Sequence, residues 1–348
     1  MKTKLVSVTL ALMLVMTVVF AVTADQAAAA AKTYKWRMPV LMPKGITGWE
    51  MYQGFADRVK AASGGRIQIT LYGVGEVMSP LETWDATANG VVQMDWSTGL
   101  YAQGKTPMAA FVAGLPYTTR TWSEMCSLLW DQGIEELARK AYAKRGIHLL
   151  AIFPVQSTTL TSKFPVNSVA DLKGKKIRAG GIQADVLKAL GAAPVQVPAT
   201  EVYGALETGV VDGAVLGGLV AAGVFKLHEV AKYGMVPTMV TGATEEIRIN
   251  KKVWEGLEDD LKVILESCAR EHYTRWAAWQ RPLRAKILAG MAQAGFKTVQ
   301  LPESDYIKMR EAAMKVYEEK AKKSPEYAEA LEVVKKFVAS VGSTGVTD

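Results

Sequence analysis

The arginine at position 178 stands in a setting that folding alone does not explain. It closes the short strand pattern Lys176-Ile177-Arg178-Ala179 and is followed by Gly180-Gly181. From Gln183 to Leu190 the apolar residues Val186, Leu187 and Leu190 then recur at helical spacing. In open α/β sheets ligands bind outside the carboxyl ends of strands. A guanidinium there is permanently charged and fork-shaped, which suits a carboxylate better than any other side chain does. The chemistry this implies is anion capture.

Catalytic groups are harder to find. No glycine-flanked nucleophile elbow occurs, and His148, His228 and His272 are isolated rather than set at zinc-ligand spacing. Gly73-Val74-Gly75 lacks the third glycine of a dinucleotide loop. We expect no enzyme, no cofactor and, for His148 on its apolar strand, a core role.

The elements that must position Arg178 follow from periodicity. Tyr34–Val40 reads as a strand, Trp49–Ala62 as a helix stopped by Ser63-Gly64-Gly65, and Arg66–Tyr72 as a second strand, so the chain opens β-α-β with a parallel sheet. A helix at Ser79–Asn89, a buried strand at Val91–Trp96, a helix over Thr121–Arg145 and a strand at Ile147–Phe153 running into Pro154-Val155-Gln156-Ser157 come next. Helical spacing then runs from Lys251 to about Ala294, Phe296–Val299 reads as a strand, and one or two charged helices fill Ser304–Ser340. At 348 residues and 49% hydrophobic composition the chain favours two domains.

Residues 1–31 read as a secretory signal. Lys2 and Lys4 precede the apolar run Leu5–Val22 and the small residues Ala27–Ala31, with a membrane anchor as the competing reading. Export would permit Cys126 and Cys268 to pair, although two core thiols are the simpler reading. The net charge of +7 is spread among acids without a basic block, which argues against a nucleic-acid partner.

Several segments in order carry a family resemblance. They are Pro165-Val166, Ser168 and Asp171-Leu172-Lys173-Gly174-Lys175-Lys176-Ile177-Arg178; then Ala189-Leu190-Gly191-Ala192 with Pro194-Val195; then Glu201-Val202-Tyr203 with Gly209-Val210-Val211-Asp212-Gly213. Tyr101–Pro107 and Leu115–Tyr117 add to them. Together they resemble the DctP-type substrate-binding proteins of tripartite ATP-independent periplasmic (TRAP) transporters.

That resemblance implies a two-lobed periplasmic-binding-protein fold: two α/β domains joined by hinge strands, with a long helix bracing both. Residues 32–154 and about 246–285 would form domain I, and 155–245 and about 286–348 domain II. It also implies a periplasmic monomer that hands a small organic acid anion to a membrane permease. Arg178 would bind the carboxylate, and Gln156 would contact the ligand as a glutamine does in the keto-acid-binding branch. Trp96, Ser97 and Tyr101 become cleft candidates, with ordinary core packing open for the two aromatics.

The departures from that branch matter as much. It holds a metal with a glutamate-tryptophan pair that aligns with Val215 and Leu216, and aliphatic side chains cannot ligate a hard cation. Glu246 would align with the remaining metal-side acid. We therefore expect no essential metal, Leu216 as a cleft residue, and Glu246 or Glu245 either paired with a base or facing the cleft. Gly217-Gly218 would leave room for a bulkier ligand.

The expected ligand is a monocarboxylate or 2-oxo acid with an apolar or aromatic part. Uronates and other sugar acids remain open, as does a ligand-sensing subunit of a signalling system. Arg37, Arg120 and Arg248 are unplaced candidates for a second cationic clamp.

Overall fold

The alternating strand and helix patterns at the start of the chain close into a parallel β-α-β unit. In the computed structural model, which describes residues 32–341, β1 (Tyr34–Pro39) and β2 (Ile67–Tyr72) pair in parallel, Tyr34 opposite Ile67 and Pro39 opposite Tyr72. The signal-peptide reading of residues 1–31 lies outside the described residues. Helix α1 (Trp49–Ala62) buries Met51, Tyr52, Phe55 and Val59, which share one helical face.

A three-stranded sheet continues this lobe. Its middle strand β10 (Val240–Asn250) pairs antiparallel with β3 (Met94–Ser97) on one side and β4 (Ile147–Thr158) on the other, and the Val40–Trp96 bridge joins it to β1. The second lobe is built on a six-stranded sheet. Its order is β11 (Lys297–Gln300), β9 (Tyr233–Val236), β5 (Leu160–Ser162), β8 (Gly213–Val215), β6 (Lys176–Arg178) and β7 (Ala193–Val195).

The strands β4 and β10 are the crossing between lobes. Each begins or ends in the first sheet and runs directly to a neighbour in the second, β4 to β5 and β9 to β10. Their register slips between Val240 and Ala243 and again between Ala243 and Thr244. Irregularities of this kind let a paired strand bend without losing the ladder on either side.

The two-lobed architecture with a long bracing helix is thus present, with one break in that helix. Helical spacing from Lys251 resolves into α4 (Lys251–Glu255), capped by the Asn250 side chain on the Val253 amide, and then a 35-residue helix α5 (Asp259–Gln293). Gly256 separates them, and acidic Asp259 and Asp260 sit at the positive end of the long helix. At 1.5 Å per residue α5 is about 52 Å long. Leu261, Leu265, Cys268, His272 and Trp276 pack in the first lobe, whereas Ile287, Leu288 and Met291 pack in the second. Pro282 lies between the two sets.

Other elements depart from the sequence reading in detail. The span 121–145 divides into Trp122–Cys126, a wide turn over Ser127–Asp131, and α2 (Ile134–Ala143), which starts at Gly133 with φ 90°. The C-terminal helices do not belong to the second lobe alone. Tyr317 in α6 (Glu303–Ala321) donates to the Pro116 carbonyl at 2.7 Å. Tyr327 in α7 (Pro325–Val341) packs its ring 4.6 Å from that of Phe111, and Glu326 pairs with Lys144 and Arg145 beside α2.

Cys126 and Cys268 are separate thiols. His148 is half-buried and stacks on Trp254 at 3.8 Å, and burial pushes its pKa down to about 3.

Candidate ligand-binding site

Arg178 ends the parallel strand β6, between β7 and β8, where Arg178 lies opposite Val195 and Ala214. The chain then turns through Ala179 and Gly180 into α3 (Gly181–Ala189). The half-buried guanidinium donates from Nε to the Val197 carbonyl at 3.0 Å and from Nη1 to the Val215 carbonyl at 2.7 Å. Neutral carbonyls fix its direction without cancelling its charge. Among the described residues no carboxylate forms an ion pair with it. Burial lowers its pKa, and the Tyr101 phenol is the group whose field opposes that fall.

Tyr101 comes from the first lobe, on the turn Gly99–Tyr101 that follows β3. Two residues on, the Gln103 side chain crosses to the second lobe and occupies the space a Cβ on Gly181 would need. Arg178, Tyr101 and Gln103 therefore meet where the lobes face each other. Gln156, half-buried on β4 opposite Ala243, lies at the strand crossing.

Gly217 and Gly218 do not open room for ligand. A Cβ on Gly217 would stand 2.9 Å from the Gln156 amide nitrogen, and one on Gly218 would overlap the Ser157 carbonyl. These glycines admit the close approach of β4. Leu216 is half-buried against the second-lobe apolar cluster, while Val215 is fully buried.

Three candidates sit elsewhere. Trp96 is 1% exposed and belongs to the first-lobe core, with its ring edge-on to Tyr52 at 4.8 Å and His272 at 4.6 Å. Ser97 is buried beside it, and its hydroxyl has no partner. It lines a cavity of about 10 Å³ with Val40, Leu41 and Thr83, room for about one water molecule. Glu246 is 0% exposed, accepts from Tyr142 at 2.8 Å and pairs with Arg248 at 3.1 Å. Of the two expectations for it, pairing with a base and facing the cleft, the structure has the first, with the pair enclosed in the core.

Arg248 is itself enclosed by Asp95, Glu246 and Thr83. Arg120 pairs with Glu303, and Arg37 donates to the Val91 carbonyl. None of the three arginines supplies a second clamp at Arg178.

A hard-cation site does not fit this donor set either. Val215 and Leu216 offer no side-chain oxygen, Glu246 is held by Arg248, and among the described residues no group of three His, Cys, Asp or Glu could hold a metal.

Sequence reasoning did not single out Gln103, which lies between the marked positions of the Tyr101–Pro107 segment, or Gln183, which it read only as the start of a helix. It also left open Glu245, which is buried with Tyr52 at 3.0 Å and Trp96 Nε1 at 2.6 Å as donors. Burial raises its pKa to about 7 despite those bonds. An open groove of about 530 Å³ between α3 and α6 has mixed charge, including Lys188, Lys315, Lys320, Asp185 and Glu319, and Arg178 takes no part in it.

Similar proteins place this geometry. The chain is 26% identical over 308 residues, 87% of its length and 84% of the other, to a monocarboxylate 2-oxoacid-binding periplasmic protein of Nostoc sp.. It is 27% identical over 253 residues, 70% and 71% of the two chains, to the ectoine-binding periplasmic protein TeaA of Halomonas elongata. A solved TRAP periplasmic solute-binding protein of Colwellia psychrerythraea, with bound calcium and pyruvate, superposes with a TM-score of 0.79 at 26% identity, covering 89% of this chain and 95% of that one. The family described as bacterial extracellular solute-binding protein, family 7 (DctP), matches residues 43–324. With two lobes joined at β4 and β10 and a poised arginine at a strand end between them, the chain belongs to the DctP family of TRAP solute-binding proteins, which are receptors and not enzymes.

Proposed function

We propose that this receptor works in the periplasm after removal of residues 1–31, captures a small organic monocarboxylate and presents it to a TRAP membrane permease. The observation that carries the reading is the Arg178 guanidinium, oriented by two neutral carbonyls and, among the described residues, paired with no carboxylate. A ligand carboxylate takes the charge-assisted bonds that the protein leaves unmade. Tyr101 from the opposite lobe and Gln156 at the strand crossing fix its orientation. Bending at the β4/β10 irregularities closes the lobes, and excluding water strengthens each polar contact.

Half-buried Tyr101 and Leu216 favour an acid with an apolar or aromatic part, such as a 2-oxo acid. The Nostoc relative, named for monocarboxylate 2-oxoacid binding, and the Colwellia structure, which holds calcium and pyruvate, support that class. The donor set argues for capture without a metal.

Thermal unfolding of the protein from Lys32 onward, with a library of organic acids and with or without chelator, tests the reading. A ligand at a hundred times its dissociation constant stabilises by about 2.7 kcal/mol. The expected outcome is a rise with one monocarboxylate class that chelator leaves unchanged. If no acid shifts the transition, or only sugar acids do, the assignment is wrong.

A further inference from the structure

Two buried amide nitrogens, Nε2 of Gln103 and Nε2 of Gln183, have no hydrogen-bond partner among the described residues, and both belong to the turn and helix that follow Arg178 or to the side chain lying on them. Gln103 reaches from the first lobe onto Gly181, the first residue of α3. Gln183 lies in the first turn of that same helix and is 1% exposed. Gln183 stands two residues beyond Gly181, the position that Gln103 covers. Gly180 caps this helix without a side-chain bond.

An orphaned amide N–H inside a protein costs more than a made hydrogen bond gains, so such groups point to a partner that the chain itself does not supply. Both donors are neutral. A second carboxylate would call for a cation, whereas a carbonyl or hydroxyl oxygen is matched by amide N–H groups alone.

We propose that Gln103 and Gln183, one from each lobe, determine specificity by donating to a neutral oxygen on the carbon next to the carboxylate held by Arg178. The inference rests on the carboxylate reading of Arg178 and extends it to what the ligand carries beside that group. Because Gln103 crosses between lobes, the same oxygen also rewards closure.

Three acids of one carbon skeleton test it: 4-methylpentanoate, 2-hydroxy-4-methylpentanoate and 4-methyl-2-oxopentanoate, measured by calorimetry on the whole mature chain. Wild type should prefer at least one of the two oxygenated acids over the plain acid by about tenfold. Gln103→Leu and Gln183→Leu should each reduce that preference to about threefold or less while leaving affinity for 4-methylpentanoate within about twofold.

A merely structural role would weaken all three acids alike, and that result overturns the proposal, as does a wild type that does not discriminate. Should Gln183→Leu unfold, Gln103→Leu on its half-buried loop still decides the matter. Failure of wild type to bind any of the three acids instead overturns the carboxylate reading beneath it, which Arg178→Ala reports separately by weakening binding of all three by about a hundredfold.

Discussion

Trp276 in the long helix donates from its indole nitrogen to the Val155 carbonyl of β4 at 2.9 Å. Val155 precedes Gln156 at the strand crossing, so the brace grips the chain one residue from a candidate ligand contact. Gln280, one turn further along α5, donates to the same carbonyl. Either donor alone satisfies that oxygen. Trp276→Phe or Gln280→Ala should each cost about 1 kcal/mol through the bond, and the double variant more than the sum, because only then is a buried carbonyl left unpaired. Urea unfolding of the four proteins measures the coupling, and strict additivity would count against the shared role.

Arg178 serves ligand and fold at once. Arg178→Ala should weaken binding of the native acid by about a hundredfold, near 3 kcal/mol, because a carboxylate is then buried without its partner. The ligand-free protein should also melt lower, since the Val197 and Val215 carbonyls lose their donors. Arg178→Lys should fall short on both counts, as one ammonium cannot replace the planar fork. Calorimetry and a melting curve on the same samples separate the two effects.

Glu245 should make the first lobe less stable as pH rises. Its folded pKa of about 7 exceeds the ordinary 4.5 because burial disfavours the charged form, so the folded state holds a proton that the unfolded chain has released. Stability is therefore full below about pH 4.5 and declines through about pH 7, by at most about 3 kcal/mol. Glu245→Gln should flatten that slope, since the amide oxygen still accepts from Tyr52 or Trp96. Urea unfolding at pH 5 and pH 8 checks it, and an identical slope in the variant would refute the assignment.

The neighbouring acid, Glu246, should take no part in ligand binding. Glu246 bonds Tyr142 and Arg248 deep in the sheet, so Glu246→Gln is expected to leave ligand affinity unchanged. Arg248→Met removes the only cation of a cluster holding two buried carboxylates, Asp95 and Glu246, and should cost about 3–5 kcal/mol. Binding at a temperature where Glu246→Gln remains folded gives the answer.

The sequence by itself determined the elements and the arginine. Period-2 and period-3.6 spacing marked β1, α1, β2 and most of α5, because burying one face of a strand or helix needs only local alternation. Arg178 stood out because a strand end followed by Gly-Gly is a local signal.

What no local signal encodes is the partner waiting on each face. Glu245 and Glu246 are adjacent on β10 and point to opposite sides of the sheet, as successive strand residues must. One meets Tyr52 and Trp96, the other Tyr142 and Arg248. Tyr52, Trp96 and Tyr142 come from α1, β3 and α2, each more than a hundred positions away. The same holds for Trp96, whose strand reads like a cleft wall until Tyr52, Phe153 and His272 close over it. Gln103 gained its place by crossing to Gly181, and Gln183 by the burial of its helix start, both consequences of how the lobes meet. Contacts between remote segments are set by packing of the whole chain, and only the tertiary structure could decide them.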